Sequence, residues 1–89
     1  MIDLEVQIVN RLGLHARAAA RFVHLANRFN SRITVSKDGT RVDGKSILGL
    51  LTLAAPYGVR IRLEADGDDE NEALAELGDL VRSRFGEET

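Results

Sequence analysis

Cysteine and tryptophan are missing from this 89-residue chain, proline and methionine occur once each, and the only aromatic residues are Phe22, Phe29, Tyr57 and Phe85. Without cysteine there is no disulfide, no thiolate metal site and no thiol nucleophile, and nothing argues for an oxidising compartment. So few aromatics, none interleaved with bases along a strand, leave no platform for stacking nucleobases, and a net charge of -2 also speaks against nucleic acid. No apolar run approaches the ~20 residues that span a bilayer. Met1-Ile2-Asp3-Leu4-Glu5 carries acids where a signal peptide carries bases, so the expected location is the cytoplasm, with no membrane insertion. His15 and His24 lack the companion carboxylates or thiolates of a metal centre, and neither a metal nor a cofactor is expected.

What the chain does contain is unevenly spread. Arg11, Arg17, Arg21, Arg28 and Arg32 fall in a segment without an acid, whereas Glu64 to Glu76 is acidic and holds no base. The length suits one small domain over residues 1–89. Ile2, Leu4, Val6 and Ile8 alternate with polar residues, the period of a strand with one buried face. From Ala16 to Phe29 the period becomes helical: Ala19, Phe22, Val23, Ala26 and Phe29 line one side, and Arg17, Arg21, His24 and Arg28 the other. Ile33 and Val35 precede Asp38-Gly39, a two-residue hairpin turn, with Val42 on the return strand. Ser46 is the expected N-cap of a short helix over Ile47–Ala55, which Pro56 stops. Val59, Ile61, Leu63 and Ala65 alternate as a fourth strand. Asp69 and Glu72 have the spacing of a capping box for a last helix with Leu74, Leu77, Leu80, Val81 and Phe85 inside and Gly86 at its end. Glu87-Glu88-Thr89 is expected to fray. The order βαββαβα predicts an α+β fold: an open-faced two-layer sandwich of four antiparallel strands with three helices on one face.

The stretch Gly13-Leu14-His15-Ala16-Arg17 carries the chemistry. It places an imidazole at the start of an arginine-bearing helix, where unpaired N–H groups and the helix dipole favour a phosphate. His15 would take up a phosphoryl group, the Ala16 and Arg17 N–H groups would receive its oxygens, and the Arg17 guanidinium would hold it. Ala18, Ala19 and Ala20 read as scaffold, and His24 as a solvent-facing member of the cationic stripe. The second helix has more apolar residues than one buried face needs. With Leu50, Leu53 and Ala54 turned to the sheet, Ile47, Leu48 and Leu51 form an exposed patch suited to docking, with Arg21 and His24 beside it. A phosphate on Ser46 would add charge next to that patch and repel partners that read it.

Taken together, Gly13-Leu14-His15-Ala16-Arg17 and Lys45-Ser46-Ile47-Leu48-Gly49-Leu50-Leu51 resemble the HPr family, histidine-containing phosphocarriers of the bacterial phosphoenolpyruvate-dependent phosphotransferase system. The likeness runs over essentially the whole chain. It implies that His15 accepts a phosphoryl group through Nδ1 from enzyme I and gives it to an enzyme IIA domain, that Arg17 steadies the group, and that an HPr kinase/phosphorylase modifies Ser46. It also implies a monomeric carrier that is not itself an enzyme. Ala18 departs from the proline usual after the arginine, which bears on rigidity and transfer rate. Two other readings stand beside this one: a regulatory docking module whose His15 is never phosphorylated, and, more weakly, a nucleic-acid binder using the Arg17, Arg21 and Arg28 stripe.

Overall fold

Alternating residues place one face of each strand in the core. In the computed structural model, which describes residues 1–89, the elements run β1 (Ile2–Gln7), α1 (Ala16–Ala26), β2 (Arg32–Lys37), β3 (Thr40–Asp43), α2 (Ile47–Leu53), β4 (Arg60–Asp66) and α3 (Glu70–Arg82), followed by a 3-10 turn at Arg84–Gly86. The four strands form one antiparallel sheet in the order β1-β4-β2-β3, so the expected βαββαβα architecture holds. β4 enters between β1 and β2. Its register sets Leu63 against both Leu4 and Val35, and Ile61 against Val6, so the inward side chains of three strands meet in a single layer.

The helices cover that layer with Ala18, Ala19, Phe22 and Val23 of α1, Leu50 and Leu53 of α2, and Leu74, Leu77 and Val81 of α3. Truncating a fully buried member such as Leu63 to alanine is worth about 2–5 kcal/mol. The opposite face of the sheet meets water and carries spaced ion pairs, Arg60 with Glu5 at 3.2 Å and Arg41 with Glu64 at 3.5 Å. Such exposed pairs add little. The hairpin forms as the residues require, with positive φ at both Asp38 (50°) and Gly39 (85°) and Lys37 opposite Thr40.

Three helix boundaries differ from the sequence expectation. α1 ends at Ala26, because Arg28 and Phe29 donate to carbonyls three residues back, Leu25 and Ala26, at 3.0 and 3.1 Å; Phe29 still reaches the core. α2 ends at Leu53. Ala54, expected to face the sheet, is instead exposed in a left-handed conformation (φ 52°, ψ 54°), and buried Ala55 takes the inward place ahead of Pro56. α3 stops at Arg82, and left-handed residues Arg84 and Phe85 turn the chain so that the Phe85 ring is buried.

The capping box at α3 does not form. Asp69 gives its carboxylate to the entry of β2, accepting from the N–H groups of Asn30 (2.8 Å) and Ser31 (2.9 Å) and from the Ser31 hydroxyl, while Glu70 accepts from the Gly67 N–H at 3.1 Å. These bonds, led by the one from Ser31 Oγ, hold the Asp69 carboxyl below its ordinary range.

Candidate functional site

The loop between β1 and α1 is held at both sides before it presents a histidine. Gly13 adopts φ +69°, and a Cβ there would lie 2.7 Å from the Ala55 carbonyl oxygen, so only glycine lets the loop lie this close to the exit of α2. Leu14, buried, then donates its N–H to that same carbonyl at 2.9 Å. His15 follows as the N-cap of α1, with extended backbone (φ -82°, ψ -179°). Capping normally falls to a serine, threonine, aspartate or asparagine oxygen; here the ring nitrogen Nδ1 accepts from the Arg17 N–H at 3.3 Å. The ring therefore stands at the start of α1, one position outside the first turn.

Polarity around the ring is well defined. Accepting from an N–H requires a lone pair on Nδ1, so the ring proton sits on Nε2, which donates to Glu87 Oε2. Glu87 Oε1 in turn accepts from Asn10 Nδ2 at 2.9 Å, and the same amide nitrogen donates to the Gly13 carbonyl at 2.7 Å. Asn10 is fully buried and its Oδ1 has no partner, the cost of pointing the amide nitrogen at two acceptors. The imidazole remains 23% exposed, open along one side to an approaching molecule.

Glu87 was the residue that sequence reasoning missed. The tail was expected to fray, and instead it is tied down: Phe85 is buried, Arg21 Nη1 donates to the Phe85 carbonyl, the Arg11 N–H donates to the Thr89 carbonyl, and Glu87 closes on His15. Partial burial pushes the Glu87 carboxyl upward, but hydrogen bonds from Asn10 and His15, together with the nearby Arg17 charge, outweigh it, leaving the group below the usual glutamate range. The only local signal in the sequence was Phe85, an aromatic beyond the helix that would anchor whatever followed it.

The remaining predicted residues divide into those near the ring and those apart from it. Ala16 and Arg17 open α1 and are exposed, and the Arg17 charge bears on Glu87. Arg21 is engaged with the C-terminal turn. His24 is exposed in the last turn of α1, more than two helical turns beyond His15. On α2, Ser46 Oγ accepts from the Gly49 N–H at 3.0 Å as the expected cap. Ile47, Leu48 and Leu51 are exposed, by 42%, 75% and 37%, beside buried Leu50 and Leu53, so the apolar patch is present. α1 packs against α2. No helix is long and apolar enough to cross a membrane.

A protein-family model described as the PTS HPr component phosphorylation site matches residues 2–83. A phosphocarrier protein HPr of Neisseria meningitidis serogroup A is 49% identical over 87 residues, covering 98% of each chain. The crystal structure of HPr-C-His from Thermoanaerobacter tengcongensis superposes with a TM-score of 0.96 at 47% identity, over 100% of both chains. Crh of Bacillus subtilis, a catabolite repression protein solved as a dimer with a swapping domain, has a TM-score of 0.77 at 44% identity, over 94% of this chain and 97% of that one.

Proposed function

Since the chain belongs to the HPr family of phosphotransferase-system phosphocarriers, we propose that His15 is the residue that carries the phosphoryl group, accepting it from enzyme I and delivering it to an enzyme IIA domain. The observation that supports this reading is the Nδ1 lone pair of a partly exposed histidine, set at the start of α1 and accepting from the Arg17 N–H. Phosphoryl transfer through a loose transition state needs alignment and charge neutralisation more than covalent assistance. Nδ1 forms the new bond to phosphorus as the bond to the donor breaks and its electron pair leaves with the donor. The Ala16 and Arg17 N–H groups and the Arg17 guanidinium then receive the three oxygens. One arginine and a few amides at an open surface hold the group without trapping it, as a relay requires.

The partner surface in this reading is the exposed patch of Ile47, Leu48 and Leu51 with Arg21 and His24. The working carrier in this reading is a monomer over residues 1–89. Ser46 is a regulatory site for an HPr kinase/phosphorylase: its hydroxyl caps α2, and a phosphate there would place about -2 charge beside Ile47 and Leu48.

The test is incubation with phosphoenolpyruvate and enzyme I, followed by mass spectrometry. One acid-labile phosphoryl group, absent from His15→Ala and retained in His24→Ala, is expected. A protein that binds enzyme I but never acquires the mark would be a docking module instead.

A further inference from the structure

The C-terminal tail does more than close the fold. We propose that Glu87 is a positioning residue for His15, setting which ring nitrogen carries the proton and facing the positive charge that the ring acquires on phosphorylation. This rests on the reading of His15 as the phosphoryl acceptor.

The polarity is passed along a chain of groups with no freedom to reverse. The Gly13 carbonyl can only accept, so Asn10, buried between it and the tail, must turn Nδ2 outward. That nitrogen donates to Glu87 Oε1, leaving Oε2 for the ring. A carboxylate can only accept, so the ring must present Nε2–H to it and keep the lone pair on Nδ1, where the Arg17 N–H already points. Three hydrogen bonds thereby link the Gly13 carbonyl to the imidazole, and the carboxylate among them decides which ring nitrogen is the nucleophile.

The same arrangement serves the chemical step. As Nδ1 bonds to phosphorus, the donor's bond breaks with its electron pair, and the proton stays on Nε2. The ring is then an N-phosphorylated imidazolium, and its positive charge faces the Glu87 carboxylate across an existing charge-assisted bond. On delivery the electron pair of the N–P bond returns to Nδ1, and no proton has to move. Glu87 sits at the far nitrogen from the phosphoryl group, so its charge is placed on the ring's side of the transfer and leaves the approach to Nδ1 open.

Two substitutions separate positioning from simple strapping of the tail. In Glu87→Ala the acceptor is lost, and the rate constant for His15 phosphorylation by enzyme I should fall about tenfold, with little change in the KM for this protein. In Glu87→Gln the shape is kept, but Asn10 claims the amide oxygen and the amide nitrogen faces Nε2. A donor there draws the ring proton onto Nδ1, so Glu87→Gln should be slower than Glu87→Ala, and long-range 1H–15N spectra should move from the Nε2–H to the Nδ1–H tautomer. A structural strap predicts the opposite order, because the isosteric glutamine would preserve it. Glutamine matching the parent in rate or tautomer, or exceeding alanine in rate, overturns the proposal. The spectra need no phosphorylation, so a parent protein that is never phosphorylated would sink the carrier reading while the tautomer still judged the role of Glu87.

Discussion

The starts of α1 and α3 make the same local problem visible with opposite solutions. Each helix opens with N–H groups that its own backbone cannot satisfy, and each is preceded by a side chain able to accept from them. At α3, Asp69 ignores its own helix and binds Asn30 and Ser31, joining the helix start to β2 through three hydrogen bonds. At α1, His15 offers only a ring nitrogen at 3.3 Å, keeps that side partly exposed, and is steadied from behind by Glu87 and Asn10. A helix start whose cap is spent on tertiary contacts is structural. One whose cap is held from the far side and left open in front is suited to exchange a ligand.

The comparison breaks most severely at the ring. His15→Ala should reduce acquisition of the acid-labile phosphoryl group by at least ~10³-fold, while its cost to the fold, read by calorimetry, should be confined to the lost α1 cap and the bond to Glu87, about 1 kcal/mol. Arg17→Ala should slow transfer by up to about a hundredfold with the fold intact, read by rapid-quench kinetics; unchanged kinetics would remove its assigned role.

At the other helix start the expected effect lies in stability alone. The Asp69 carboxyl is held below its ordinary range in the folded protein, so the unfolded chain binds more protons in the interval between the two values. Asp69 therefore stabilises the fold above the ordinary aspartate range, and that contribution fades as pH falls through the lower, folded value. Asp69→Asn should lower the unfolding midpoint at neutral pH and flatten this acid dependence in urea titrations, with phosphoryl transfer unaffected. Phosphoryl transfer falling in parallel would mean that the two helix starts are not independent. Ser46→Ala is the mildest change, removing the bond to the Gly49 N–H for about 1 kcal/mol, whereas Ser46→Asn should retain most of it. Calorimetry of the pair distinguishes loss of the cap from loss of a modifiable hydroxyl.

Much of this was readable along the chain. The alternation in Ile2-Leu4-Val6 and Ile61-Leu63-Ala65, the arginine stripe of α1, the Asp38-Gly39 turn and the Ser46 cap each follow from a local preference that packing reinforces. The errors fell where a side chain had two possible partners. Asp69 had Glu72 three residues away and Ser31 far along the chain, and the distant partner won because the fold brings the Asn30-Ser31 segment, just ahead of β2, to the start of α3. Ala54 had a helical pattern and a proline two residues on, and the proline's demand on the preceding chain prevailed. The acidity of the tail argues for solvation, and that weighed more than Phe85, whose burial is what anchors it.

By itself the sequence determined the order of elements, the buried faces and the placing of a histidine before a cationic helix, because those follow from spacing and from the geometry of single residues. Which nitrogen of that histidine is free was decided only by tertiary structure. Gly13, Asn10, His15 and Glu87 span nearly the whole chain, and hydrogen-bond polarity can pass between them only after the fold has brought them together.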